Sequence, residues 1–148
     1  MPTAADVVNR ILNQYGLDDS NAILVGSSKG ANVVASVSRH FDNNQLIVCT
    51  YSTDLEYRIR NSHYSHLATA LDYFGLEFPD SLDILANEGT RKETHWFYSV
   101  EDHLANMGNE GVDYPRLHKY ACDVDHSNVI VDNWNRIKGL ICSFRDSK

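Results

Sequence analysis

The stretch Ile23-Leu24-Val25-Gly26-Ser27-Ser28-Lys29-Gly30-Ala31-Asn32-Val33-Val34 decides how the rest of the chain is read. Its apolar opening is short and has no polar alternation. With Ala22 in front, it predicts a strand buried on both faces, Ala22 to Val25. The residues after the glycines predict a helix from Lys29 to about His40, with Val33, Val34, Val37 and Phe41 on its inner side. A phosphate-binding loop is excluded. That loop needs Gly, four residues and then Gly-Lys-Ser/Thr, whereas here Lys29 precedes Gly30 and no hydroxyl residue follows it. The dinucleotide fingerprint G-x-G-x-x-G is absent too. What fits is G-x-S-x-G, with Gly26, Ser28 and Gly30 at its fixed positions between a strand and a helix. Such a turn is sharp and strains the serine backbone. A side chain at Gly26 or Gly30 is expected to collide with the neighbouring backbone. Ser28 then stands above the sheet at the amino end of a helix, where the Lys29 N–H can help bind an oxyanion. The plain alternative is a glycine-rich turn with no chemistry.

The flanking sequence extends the strand-helix pattern. Thr3 with Asp6 predicts a capped helix start, Val7, Val8, Ile11, Leu12 and Tyr15 recur at helical spacing, and Gly16 closes that helix. Asp18 to Asn21 and Asp42 to Asn44 read as turns. Gln45 to Tyr51 and Thr94 to Ser99 read as strands, and so does Leu117 to Cys122 despite His118 and Lys119. Ser62 to Phe74 predicts a helix with Leu67, Leu71 and Phe74 on one face. Phe78 to Gly89 is ambiguous, and Val100 to about Tyr114 reads as a polar loop. A final helix from about Asn128 turns Ile130, Val131, Trp134, Ile137, Leu140, Ile141 and Phe144 to the core. Alternating strands and helices predict a three-layer α/β fold with a mainly parallel sheet. Active residues are then expected in loops at the carboxyl ends of the strands.

A nucleophilic serine needs a base and an acid that orients it. For this elbow the chain order is serine, acid, histidine. Ser99-Val100-Glu101-Asp102-His103 follows one predicted strand, and Cys122-Asp123-Val124-Asp125-His126 follows the next. Asp102 is the chosen acid and His126 the base. Glu101 is the close competitor, and Asp54, after an earlier strand, is another. His103 is a candidate for the site mouth. His63 and His66 share a predicted helix face, but no further ligand stands near, so no metal site is read. His95 reads as sheet surface or packing, and Trp96 and Trp134 as core. No cofactor is implied.

The bulk numbers are those of one domain spanning all 148 residues, with 43% apolar and 22% charged content. A net charge of −7 argues against nucleic acid as a partner. Cys49, Cys122 and Cys142 are scattered in apolar sequence, which reads as packed thiols in a reducing, cytoplasmic setting. No run reaches the roughly 18 apolar residues of a membrane span, and no signal peptide is evident.

On the elbow and the order Ser28, Asp102, His126, the chain resembles the α/β-hydrolase superfamily, specifically the carboxyl half of that fold. The resemblance implies Ser28 as nucleophile, Asp102 as acid, His126 as base and Lys29 as one oxyanion donor. Val25 to Ala31 (VGSSKGA) is also similar to the elbow of bacterial capsule and surface-glycan biosynthesis proteins, and to that of acetyltransferase-like proteins of the accessory secretion system. The implied activity is ester hydrolysis or acyl transfer, on an acylated glycan or another small ester. The family has further strands before the elbow, and a loop after one of them supplies the second oxyanion donor. Here residues 1–21 precede the elbow strand and carry no HGGG-like stretch. Three explanations stay open: a fragment, a sheet completed by a partner or a second copy, or an impaired hydrolase-like module that binds without turnover.

Overall fold

A computed structural model describes residues 3–18, 22–41, 45–77, 92–106 and 112–147 of the chain. The elements run α1 (Ala4–Gln14), β1 (Ile23–Ser27), α2 (Lys29–Ser38), β2 (Gln45–Cys49), α3 (Leu55–Arg60) and α4 (Ser65–Phe74). They continue with β3 (Thr94–Ser99), α5 (His103–Asn106), β4 (Leu117–Cys122), α6 (Val129–Asp132) and α7 (Trp134–Asp146). The four strands form one sheet in the order β1-β2-β3-β4, and every pairing is parallel. The three-layer α/β architecture expected from the sequence is therefore present.

Strand alternation sorts the core into two faces. Leu46, Val48 and Trp96 pack with Ala31 and Ala35 of α2 on one side. Ile47, Cys49 and Phe97 pack with Val129 and Ile137 on the other. The central strands β2 and β3 are almost wholly buried, whereas β1 and β4 are half-exposed. Among the described residues β1 pairs only with β2, so it is an edge of this sheet.

Helix α1 starts with the expected capping box. Thr3 Oγ1 accepts from the Asp6 N–H, and the Asp6 carboxylate accepts from the Thr3 N–H at 2.7 Å. Ala5, Val8 and Leu12 face Val37 and Phe41. Val7, Ile11 and Tyr15, which share the helical spacing, are exposed, as is Val33, expected on the inner side of α2. The small residues Ala31 and Ala35 take the inner stripe of α2 instead and let it lie close on the sheet. Buried Lys92 donates to the Ser38 and Phe41 carbonyls, a cation placed at the carboxyl end of α2.

Three other expectations need correction. The helix expected over Ser62–Phe74 is present as α4 but begins at Ser65, and α3, which precedes it, was not expected. Ser62 Oγ donates to the Ile59 carbonyl and accepts from the Tyr64 N–H, which holds Ser62 in the turn between α3 and α4 and delays the start of α4. Leu67 and Phe74 are exposed, and Ala68 is the residue α4 buries. The last helix is interrupted at Asn133, whose amide donates to the Val129 carbonyl and to Cys122 Sγ. That break leaves Val131 and Trp134 exposed while Ile137 is buried. Strand β2 ends at Cys49, not Tyr51, because Thr50 turns to a positive φ of 53°. The expected turn at 42–44, most of that at 18–21, and the ambiguous segment 78–89 lie outside the described residues.

The two elbow glycines are not equivalent. A Cβ on Gly26 would lie 2.3 Å from the Gly30 carbonyl oxygen and 2.6 Å from Val34 Cγ2. A Cβ on Gly30 meets nothing within 4 Å, contrary to the expected clash. In urea unfolding, Gly26→Ala is expected to cost about 1–3 kcal/mol or more through overpacking. Gly30→Ala, near the start of α2, is expected to be neutral or to gain up to about 1 kcal/mol from helix propensity.

Candidate active site

Ser28 joins β1 to α2 with φ 56° and ψ −123°, a region that L-residues rarely occupy. Its N–H is shared between the Cys49 carbonyl at 2.9 Å and Thr50 Oγ1 at 3.0 Å. Thr50 Oγ1 in turn donates to the Cys49 carbonyl at 2.7 Å. The end of β2 thus clamps the strained residue at the end of β1. Two adjacent strand ends carry positive φ in a serine and a threonine, which are sites of stored backbone strain.

The structure brings Ser28, His126 and Asp102 into one hydrogen-bonded chain. Ser28 Oγ lies 2.8 Å from His126 Nε2, and His126 Nδ1 donates to Asp102 Oδ2. A carboxylate only accepts, so this contact assigns the proton to Nδ1 and leaves the Nε2 lone pair toward the serine. Asp102 sits just past β3, and His126 just past β4, both at carboxyl ends. The Asp102 side chain is mostly buried, at 10% exposure, with Oδ1 accepting from the Ala105 N–H. Burial pushes its carboxyl up. Hydrogen bonds from His126 and Ala105 and the charges of His126 and Arg58 outweigh that, and hold it below the usual carboxylate range.

Neither competing acid bonds His126 among the described residues. Asp54 caps α3 by accepting from the Tyr57 N–H at 2.8 Å, and Glu101 is exposed. Lys29 begins α2, where first-turn N–H groups have no acceptor within the helix. Its ammonium lies 3.4 Å from the centre of the Tyr64 ring. A cleft of about 360 Å³ opens over Ser28 and His126, with walls from Leu55, Ile59, Tyr64 and Leu104. Leu104, not His103, reaches the cleft. His63 lines it, its ring tilted 43° against that of Tyr64; it precedes α4 and shares no helix face with His66. His95 is buried between His118 and Tyr120, and Trp96 is buried in the core. Among the described residues no group of His, Cys, Asp and Glu could hold a metal ion, and no helix is long and apolar enough to cross a membrane.

Arg58 was not anticipated. Its Nη2 donates to Ser28 Oγ at 3.0 Å and lies 3.1 Å from His126 Nε2, while Nη1 donates to the Thr50 carbonyl at 3.0 Å. The carboxyl end of β2 was a legible place to look, but only its acids were considered there, and a lone arginine in a polar run matches no motif.

Compared with family models, curated proteins and solved structures, the chain has no match.

Two outcomes follow from this geometry. Ser28→Gly is expected to be more stable than Ser28→Ala by about 1–3 kcal/mol in urea unfolding, because glycine relieves the strain that alanine keeps. The depressed Asp102 carboxyl stabilises the fold above its ordinary value of 3.8, and that contribution is lost as pH falls through the lower folded value. Unfolding measured from about pH 5 down to about pH 2 is therefore expected to show a smaller stability loss in Asp102→Asn than in the unsubstituted chain.

Proposed function

We propose that this chain is a serine-dependent esterase or acyltransferase of α/β-hydrolase type. The observation that carries the reading is the Ser28–His126–Asp102 chain built on a positive-φ strand-to-helix turn. His126 Nε2 takes the Ser28 proton as Oγ attacks the acyl carbon. Asp102 keeps Nδ1 protonated and stabilises the imidazolium that forms. The Lys29 N–H donates to the oxyanion of the tetrahedral intermediate. His126 then returns its proton to the leaving alcohol. Water or a second hydroxyl, activated by the same histidine, releases the acyl group from Ser28. Exclusion of water from the cleft decides between hydrolysis and transfer. An acylated glycan, or another small ester, as substrate rests on the VGSSKGA resemblance.

A fluorophosphonate probe tests the reading. The purified chain is expected to label at Ser28, with Ser28→Ala unlabelled and His126→Ala slowed by roughly 10²–10⁴. No labelling of the folded chain, or labelling that survives Ser28→Ala, would favour the module that binds without turnover.

A further inference from the structure

We propose that Arg58 is an anion-recognising residue, and that the ester handled at Ser28 carries a carboxylate or phosphate on its alcohol portion. This rests on the esterase reading for the position of the substrate, but not for the binding itself. Arg58 is half-buried, and burial disfavours its charged form, an effect only partly offset by the nearby charge of Asp102. A guanidinium stays protonated regardless. Its planar fork suits two parallel hydrogen bonds to a carboxylate or phosphate. Here that fork holds a carbonyl, a hydroxyl and an imidazole, and no ion pair joins it to a carboxylate among the described residues.

The surroundings make the same point. In a chain of net charge −7, the cleft is lined by Lys29, Arg58 and His63, and its carboxylate, Asp102, is bonded to His126. The Lys29 ammonium rests on the Tyr64 ring, which tolerates a cation but does not neutralise it. Two cations, neither of them in an ion pair among the described residues, thus face one small cleft over a serine. In such a partly dry cleft their attraction for an anion is screened less than at an open surface.

Position assigns the anion to the alcohol side. Arg58 Nη2, Ser28 Oγ and His126 Nε2 form a nearly equilateral triangle with sides of 3.0, 3.1 and 2.8 Å. His126 Nε2 is the atom that hands the proton to the departing alcohol, so the guanidinium stands beside the leaving group. An acidic alcohol also draws the second Nη2 hydrogen away from the Nε2 lone pair, which Arg58 and Ser28 otherwise share.

The probes are 3-acetoxybenzoate and its uncharged methyl ester. Binding is measured by NMR titration of the folded Ser28→Ala chain, which holds the ester uncleaved. The carboxylate is expected to bind about tenfold or more tightly than the methyl ester. Adding Arg58→Gln is expected to abolish that preference, and adding Arg58→Lys to keep part of it, since charge remains but the fork is lost. Equal binding of the two probes, or a preference unchanged by Arg58→Gln, would overturn the proposal. Turnover by the unsubstituted chain is scored separately. Anion-selective binding without turnover that Ser28→Ala removes leaves Arg58 recognition standing and counts against the esterase reading.

Discussion

Everything in the site depends on the close approach between the end of β1 and the start of α2. Gly26 has no Cβ, and the space a Cβ would need is filled by the Gly30 carbonyl and Val34. That contact forces Ser28 to turn within one residue, through a backbone conformation that serine adopts only under constraint. The constraint comes from β2: the Ser28 N–H is held by Cys49 and Thr50, and Thr50 is itself strained. Two strained residues on neighbouring strand ends therefore fix one hydroxyl in place.

The parallel sheet gathers the site residues around this strained turn. Because all strands point the same way, the segments after β1, β2, β3 and β4 emerge at one edge. They deliver Ser28, Arg58, Asp102 and His126 in turn. The residues are far apart in sequence, and Ser28 and His126 are separated by 98 positions. Burial of β2 and β3 on both faces makes the platform rigid, with Trp96 and Phe97 filling opposite sides of the sheet. Preorganisation of this kind holds a hydroxyl and an imidazole at bonding distance, 2.8 Å.

Much of this was legible in the residues themselves. The strands at 94–99 and 117–122 were expected with the bounds observed, the second despite its His118 and Lys119. Chain order and strand-end placement put the acid in the loop after β3, with Asp102 chosen and Glu101 its close competitor, and the structure puts Asp102 on His126. What could not be read was, Arg58 apart, of two kinds. Faces were misjudged where a helix covers the sheet with alanines, as Ala31 and Ala35 do, and leaves its branched residues outside. Helix limits were missed where a side chain competes with the backbone, at Ser62 before α4 and at Asn133 within the last helix. Arg58 belongs to neither kind. Its role is set by contacts 30 and 68 positions away, and no local pattern encodes them.

The central claim is that His126 is held between Asp102 and Ser28 with its proton on Nδ1. The most direct test is the ring-nitrogen NMR spectrum of the chain with ¹⁵N-labelled histidine at neutral pH. The account predicts a neutral His126 ring protonated on Nδ1, with that proton shifted downfield and lost in Asp102→Asn. A His126 ring in the other tautomer, or one averaging freely between the two in the folded chain, would contradict it.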